Sequence, residues 1–338
     1  MKILVIGAGA IGTVTAGILS SKKFDVELVC NNQQRVSTLN QQGLRYQLKK
    51  RKYFTNVKTY NNIEETPGSY HYVLLATKSF NMLDPARRVL DKLTQNGLIV
   101  SMQDGFCEEE LSLIAGSNRL VGAMVGWGAT LNTDGSATMS SAGEMIIGML
   151  DGSDDPRLDN LQYIFNTIVP TQVVGNINEH IFSKLVINSC VTTLGAISGL
   201  NIGSLITNSK LRNIFLEIIK EAIEIANALK IEIPEYSGRI NYYRLIRGNS
   251  LYHRIRKHLT IRIFGIKYRN VKSSGLQSLE RGEQTEIDYL NGFLVQKSKE
   301  TGIETPVNNQ LVTMVHEIEE GKRPIDIANL DEIVLSRS

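Results

Sequence analysis

Cysteine is scarce in this chain, and no run of consecutive apolar residues is long. Cys30, Cys107 and Cys190 are odd in number and widely spaced among 338 residues. This excludes a disulfide framework and fits a reducing compartment. The five histidines show no zinc-type spacing with those cysteines, so no metal is expected. No segment reaches the roughly 18 consecutive apolar residues of a membrane helix. We expect a cytoplasmic protein with no membrane span.

Acidic residues are absent between Tyr236 and Leu279, where ten lysines and arginines occur. We call residues 238–272 the basic segment. Such charge can contact nucleic acid or an anionic membrane. The basic segment can equally be a solvated, partly amphipathic part of the surface, or it can line a site for an anionic substrate or cofactor. No recognised nucleic-acid module accompanies the charge, so a nucleic-acid partner is not expected.

A glycine-rich loop directly follows the apolar run from Ile3 to Ile6. Its first glycine permits a tight turn, its second the close approach of a pyrophosphate, and its third the packing of a helix. A secretory signal is the alternative, because Lys2 precedes an apolar stretch, but no convincing cleavage site follows. The pattern predicts dinucleotide binding, with phosphates at the helix N-terminus. The loop consists of Gly7, Ala8, Gly9, Ala10, Ile11 and Gly12.

Strand-like and helix-like patterns alternate in the first half of the chain. Residues 25–30 alternate like a strand, apolar runs at 72–76 and 98–102 suit parallel strands, and Val121 to Gly148 would supply the last strands of the sheet. From about Asn178 the pattern is helical, with a wide apolar stripe between Leu211 and Ala226. The length favours two domains. We predict a Rossmann-type doubly wound α/β domain over residues 1–176 and an all-α helical domain over 177–338.

Polar residues follow two of the predicted strands. Thr77-Lys78 comes after the run at 72–76, and Gln103-Asp104-Gly105 comes after the run at 98–102. Both would lie at the carboxyl edge of the sheet, where ligands bind. The ordinary alternatives are a surface lysine and an Asx turn.

The helical half offers a second set of polar candidates. Lys184 and Asn188 are four residues apart and share a helix face, with apolar residues between them. Such surroundings would suit Lys184 to donate a proton near neutral pH, unless it extends to solvent. Ser274 precedes a helix that we expect to include Glu286. The ordinary alternatives are an N-cap for Ser274 and a solvated charge for Glu286.

The order of these motifs resembles that of the ketopantoate reductase (2-dehydropantoate 2-reductase) family. The motifs are GAGAIG, TK after a strand, QDG after the next, FSKLVINSC and SS…TEIDYLNG. The likeness spans Met1 to Val315. It implies a Rossmann domain joined to a helical domain, with NADPH and a small 2-oxo acid meeting between them, in pantothenate biosynthesis. A homodimer is compatible with it.

The resemblance also assigns roles. The predicted cofactor-binding residues are Gly7 to Gly12, Asn31, Lys78, Asp104 and Gly128. The predicted catalytic residues are Lys184 as general acid, with Glu286 and Asp104. The predicted substrate-binding residues are Lys184, Asn188, Thr192 and Ser274.

Several positions depart from the family pattern. Asparagine is usual where this chain has Asp104, Thr192, Ile202 and Val271. An ionised Asp104 would repel a substrate carboxylate by about 4 kcal/mol at close range and an effective dielectric of 20. The family often has an arginine where this chain has Asn31, but Arg35 is within reach and no acidic residue stands there. We therefore expect NADP, with NAD as the alternative.

These departures leave other functions open. The first alternative is an oxidoreductase of the same fold acting on a different carbonyl or imine, because of Asp104, Thr192 and Ile202. The second is a non-catalytic, dinucleotide-responsive protein that uses the basic segment to contact an anionic partner.

Overall fold

A computed structural model describes residues 1–248, 250–266 and 271–335. The chain divides into two units, Met1–Ile181 and Phe182–Ser338, and the division falls inside one long helix. All described strands belong to the first unit, and the second is built from helices. The predicted fold class is thereby confirmed, whereas the predicted boundary after residue 176 remains a prediction.

Residues 1–181 are all described, and their strands form two sheets. The strands are β1 (Lys2–Ile6), β2 (Asp25–Val29), β3 (Leu44–Leu48), β4 (Arg51–Thr55), β5 (Lys58–Tyr60), β6 (Tyr70–Leu75), β7 (Leu93–Ser101), β8 (Leu120–Val125), β9 (Gly128–Leu131), β10 (Ala137–Ser141), β11 (Met145–Met149) and β12 (Thr171–Val173).

The larger sheet has the order β12-β11-β8-β7-β6-β1-β2-β5. All neighbouring strands in it are parallel except β8 and β11. The strand order reverses at β1, which pairs with β2 on one side and with β6 on the other. Ligands of open α/β sheets bind at the carboxyl ends of the strands beside such a reversal. The loops after β1, β6 and β7 therefore form the expected binding edge.

The smaller sheet, of order β4-β3-β10-β9, differs from the predicted single sheet. Of the segment Val121 to Gly148, only β8 and β11 join the large sheet. The strands between them, β9 and β10, pair with each other, and β10 runs parallel to β3 of the β3–β4 hairpin. This pairing joins residues far apart in the sequence, so no local pattern reveals it.

The helices of the first unit include one that lies between the two sheets. They are α1 (Ala10–Ser21), α2 (Gln33–Gln42), α3 (Leu83–Val89), α4 (Glu108–Ala115) and α5 (Arg157–Asn166). Helix α1 contacts β1 and β2 on one side and β3, β9 and β10 on the other. Its residues Gly12 to Leu19 are all buried, as expected of a helix that is apolar on every side. A Cβ at Gly17 would lie 2.6 Å from Cδ1 of Tyr46, so only glycine fits there.

The remaining helices are α6 (Ile177–Ser198), α7 (Ile202–Thr207), α8 (Ser209–Ala228), α9 (Tyr242–Ile246), α10 (Leu251–Ile266), α11 (Ser274–Glu280), α12 (Asn291–Thr301) and α13 (Pro306–Glu319). Helix α8 carries the predicted apolar stripe, and the residues of that stripe are buried. Among the described residues, α6 alone has the length and mean hydropathy, 1.4, of a membrane span. Because 89% of its apolar window is buried inside the protein, it matches a core helix.

A buried polar network joins four helices of the second unit. Asn291 of α12 donates to the backbone oxygen of Ser189 of α6 and to Oδ1 of Asn308 of α13. Asn308 in turn donates through Nδ2 to Glu221 of α8 at 2.6 Å. Glu221 also accepts the backbone N–H groups of Val307 and Asn308. Burial raises the pKa of Glu221, although these donors oppose the rise.

The network predicts that Asn308→Ala lowers the free energy of unfolding by about 2–4 kcal/mol, because two buried partners lose hydrogen bonds. Urea denaturation followed by circular dichroism measures this loss. The matched control is Asn309→Ala, on the exposed side of the same helix, with an expected change below about 0.5 kcal/mol. Equal losses in the two variants would mean that the network does not stabilise the fold.

Candidate functional site

The glycine loop has the geometry that the motif requires. Gly7 has φ +108°, and a Cβ there would lie 2.7 Å from the backbone oxygen of Ala76, just after β6. A Cβ at Gly12 would lie 1.9 Å from the Gly7 oxygen, whereas one at Gly9 would meet nothing within 4 Å. Gly7 and Gly12 are therefore required by backbone packing, and the space over Gly9 is open.

The first turn of α1 faces that open space. Gly9 is the N-cap of the helix, and no side chain caps this end. Uncapped N–H groups at a helix N-terminus attract anions, particularly phosphates. The half-buried Ala10 and Ile11 stand at this turn. The loop thus fits the pyrophosphate of a dinucleotide.

Arg35 of α2 is bonded to this loop. Its Nε donates to the Ala8 oxygen at 3.1 Å, one terminal nitrogen donates to Oγ1 of Thr13 at 3.1 Å, and the other to the Gly135 oxygen at 3.2 Å. Burial lowers its pKa from the usual value. Asn31 is exposed in the turn after β2. A cation is therefore held beside the glycine loop, although the position after β2 lacks one.

The loops after β6 and β7 are tied to each other. Oγ of Ser79 donates to the Asp104 backbone oxygen at 2.6 Å, and Nε2 of Gln103 donates to Oγ1 of Thr77 at 3.3 Å. Lys78 and Asp104 are both partly exposed. The structure therefore brings Lys78 and Asp104 to neighbouring strand ends, next to the strand that leads into the glycine loop.

A buried polar cluster lies beneath Asp104. The Ser101 hydroxyl lies 2.9 Å from Oε1 of Gln103 and 2.9 Å from Oε1 of Glu108. The Cys107 backbone N–H donates to the other Glu108 oxygen at 2.9 Å. Sequence reasoning missed Ser101, which lies within an apolar run, and Glu108, which is the first of three glutamates. The signal that could have identified both residues is their closeness in the sequence to Gln103-Asp104-Gly105.

Gly128, another predicted cofactor residue, follows the carboxyl end of β8, a strand that runs parallel to β7. It begins β9 in the smaller sheet, and a Cβ there would lie 2.8 Å from Oγ of Ser141. Its requirement for glycine is explained by that strand pairing. The cofactor role of Gly128 remains a prediction.

In the second unit, Lys184 and Asn188 stand out on α6. Between Ile181 and Ser198, a range described throughout, they alone are only partly buried. The same face continues one turn on with Thr192, which is 7% exposed. Neighbouring Ser183 is fixed, since its hydroxyl donates to the Pro234 oxygen and its own carbonyl accepts from the Tyr242 hydroxyl. Two polar side chains are thus partly exposed on a stretch of the helix that is otherwise buried.

The residues around Ser274 pack against that face. The Ser273 hydroxyl donates to the Thr192 backbone oxygen at 3.2 Å and also caps α11 by accepting the Leu276 N–H. The N-cap is therefore Ser273, and the alternative that Ser274 is the cap is wrong. Ser274 is the first residue of α11 and is partly exposed. The structure places it close to Thr192.

Three of the positions that depart from the family pattern lie together. The Ile202 N–H donates to the Val271 oxygen at 3.1 Å, and Ser273, two residues on, is bonded to Thr192. Asn201 accepts the Ser204 N–H as the N-cap of α7. Asn201 is the residue next to Ile202, and its side chain is therefore already occupied in capping α7.

Glu286 is buried, but it is not in a helix. It is 6% exposed and precedes a 3₁₀ turn, Ile287–Tyr289, that leads into α12. The helix expected here ends at Glu280 because the chain adopts φ +67° at Gly282. The predicted helix is thus wrong, and so is the alternative of a solvated charge.

Two family models and a sequence relative match most of this chain. The family model described as "Ketopantoate reductase PanE/ApbA" matches residues 3–152, and its C-terminal counterpart matches residues 176–319. A 2-dehydropantoate 2-reductase of Pyrococcus horikoshii is 28% identical over 93% of this chain and 96% of its own length.

Solved structures share the fold. A PanE/ApbA family ketopantoate reductase from Ralstonia eutropha has a TM-score of 0.79 and 24% identity, over 95% of this chain and 99% of that one. A D-mandelate dehydrogenase with NADH and anilino(oxo)acetate has a TM-score of 0.81 and 20% identity, with the same coverage.

From the geometry of the glycine loop we predict that substitutions at Gly9 and at Gly12 have different effects. Gly9→Val should retain its melting temperature yet bind NADPH about tenfold or more weakly, because the new side chain occupies open space where phosphates approach. Gly12→Val should lose stability, because its Cβ collides with backbone. Fluorescence titration and thermal melting separate the two, and unchanged NADPH affinity in a folded Gly9→Val would contradict the assignment.

Proposed function

The chain belongs to the ketopantoate reductase family, and on that premise we propose that it reduces a small 2-oxo acid of the ketopantoate type with NADPH. It is an oxidoreductase acting on CH–OH groups. The observation that carries the proposal is the pair Lys184 and Asn188, the two partly exposed side chains on the buried stretch of α6. We further propose a cytoplasmic setting and a role in pantothenate biosynthesis, supported by three cysteines that form no disulfide and by the names of the relatives.

NADPH is favoured by the cation at the glycine loop. Three N–H groups of Arg35 are bonded to protein, and a guanidinium has five, so two remain to meet a phosphate. A carboxylate that would bind the free ribose hydroxyl of NAD is absent at Asn31 and Asn32. The relative with NADH shares only the fold, so it does not decide the cofactor.

Lys184 is assigned the general-acid role. The reduced nicotinamide, when bound, would supply the hydride that the carbonyl carbon accepts. The charge that develops on the carbonyl oxygen is stabilised by the Lys184 ammonium, which then donates its proton to that oxygen. Burial of the surrounding helix limits the water that could compete for the ammonium.

The neighbouring residues complete the proposed substrate site. Asn188 lies one turn from Lys184 and can donate its amide to a substrate oxygen, and Ser274 directly follows Ser273, whose hydroxyl donates to the Thr192 backbone oxygen. The buried Glu286 is proposed to orient these groups. Asp104 and Lys78, at the sheet edge of the first unit, are proposed to line the nicotinamide end.

A second candidate is reduction of a different carbonyl or imine by the same residues. It is favoured by the grouping of Thr192, Ile202 and Val271, since apolar or hydroxyl side chains replace amides at adjoining positions. Such a surface suits a less polar substrate tail than that of ketopantoate. Asp104 adds a carboxylate that would favour a cationic group.

Lys184→Ala should reduce kcat by about 10²–10⁴-fold, because it removes the proton donor and the stabilising charge. NADPH oxidation with ketopantoate and related 2-oxo acids measures the rate, and NADH tested alongside decides the cofactor. The matched control is Lys299→Ala, an exposed lysine of α12, which should retain full activity. Little loss in Lys184→Ala, with salt-sensitive binding of an anionic partner, would instead favour the non-catalytic alternative.

Asp104→Asn should raise kcat/KM for ketopantoate about tenfold, mainly through KM, because it removes a charge that repels the substrate carboxylate at a partly exposed site. Asp91→Asn, an exposed aspartate of the same unit, is the control for the loss of one charge. A fall in kcat/KM would show that Asp104 binds a cationic group and would support the second candidate.

A further inference from the structure

Helix α10 has an apolar outer face. Tyr252, Ile255, Leu259 and Ile263 recur at helical spacing and are 70%, 59%, 54% and 60% exposed, and Leu251 at the helix start is 72% exposed. We call these five residues the α10 stripe. Single exposed apolar residues are normal on protein surfaces, but a contiguous stripe along several helical turns marks an interaction site.

The opposite face of α10 is firmly packed, so the stripe is not a core face turned outward. Ile261 is buried, and a Cβ at Gly265 would lie 1.4 Å from Cδ1 of Ile206. Nδ1 of His258 accepts from Nε of Arg212 at 2.9 Å. Burial and neighbouring cations lower the pKa of His258, which favours the neutral ring that this bond requires. The rotation of α10 is therefore fixed.

Cations flank the stripe. Arg256 and Arg262 occupy positions beside it at helical spacing, and neither α10 nor the rest of residues 236–279 contains an acidic residue. Lys257 is the cation that lies near a carboxylate, that of Glu217 on α8. The stripe and its border thus combine apolar area with uncompensated positive charge.

A cavity opens at the N-terminal end of the same helix. Its volume is about 620 Å³, and its lining includes Arg244, Arg247, Arg256 and His253. Arg256 is anchored, because it donates to the backbone oxygens of Arg244 and Arg247 at 2.6 and 3.1 Å. Three guanidinium groups and an imidazole around one cavity form a site for a phosphate-bearing group.

We propose that α10 docks the protein on an anionic phospholipid surface. The α10 stripe enters the boundary between headgroups and acyl chains, and the arginine cavity receives lipid phosphate. A helix lying in a membrane interface has this arrangement, with apolar residues on one side and lysine or arginine at its border. The proposal is independent of which substrate the enzyme reduces.

A second copy of the chain fits this face less well. Two α10 helices in contact would bring four lysines and arginines from each side together, without an acidic residue on either helix. Like charges facing each other weaken association. An anionic surface instead neutralises them.

The test is flotation of the full chain with vesicles of phosphatidylcholine, alone or mixed with phosphatidylglycerol. We expect binding to the mixed vesicles, little to phosphatidylcholine alone, and weakening as salt is raised. Leu259→Ser should reduce binding about tenfold. The matched control is Leu113→Ser, since Leu113 is 89% exposed on α4 and lies outside the stripe.

A second pair of variants tests the charge. Arg244→Gln with Arg247→Gln should weaken binding about tenfold or more, whereas Lys22→Gln with Lys50→Gln, exposed lysines of the first unit, should not, although both pairs remove two charges. Thermal melting verifies that all variants fold. Absence of binding, or equal binding to both kinds of vesicle, overturns the proposal. A dimer in sedimentation analysis that Leu259→Ser dissociates, without vesicle binding, would assign the face to a second copy.

Discussion

The first unit depends on one close backbone contact, between Gly12 and the carbonyl of Gly7. Because a Cβ at Gly12 would approach that oxygen to 1.9 Å, the turn closes only with glycine, and α1 begins directly beside the reversal of strand order. The same contact positions α1 between the two sheets, where its apolar sides are buried. One turn thereby sets both the packing of the core and the direction of the helix N-terminus.

The second unit achieves rigidity by a different means, a polar network inside its core. Asn291, Asn308 and Glu221 satisfy one another and the N-terminus of α13. Unpaired polar groups in a core are costly, so the network holds α6, α8, α12 and α13 in one arrangement. The face of α6 that carries Lys184 consequently stands on a fixed support, which suits the proton-donor role proposed for Lys184.

Local sequence patterns predicted the strands and helices whose buried residues recur at one regular spacing along the chain. The strands β2, β6 and β7, the stripe of α8 and the glycine loop belong to this class, and with them the edge that carries Lys78 and Asp104. The small sheet could not be predicted, because its parallel pairing joins β3 to β10 across a long stretch of chain. Glu286 was expected in a helix because its neighbours show helical spacing, yet a left-handed glycine at 282 ends the helix first. The hydrogen-bond partners of Arg35 and Glu108 are likewise set by the folded structure and not by any short sequence pattern.

The positions that match the family pattern and the positions that depart from it have different proposed roles. Lys184 and Asn188, which are proposed to act in the reduction step, match the family, whereas Thr192, Ile202 and Val271 do not. Ile202 and Val271 share a backbone hydrogen bond, and the Ser273 hydroxyl donates to the Thr192 backbone oxygen. Replacement of three amides by residues that offer at most one hydroxyl lowers the hydrogen-bonding capacity of one small region. A site built to pair a substrate hydroxyl discriminates strongly against analogues that lack it, whereas an apolar pocket discriminates weakly. Under the proposed function, the reaction type is therefore the constrained part of this chain, and the identity of the substrate is the part free to change.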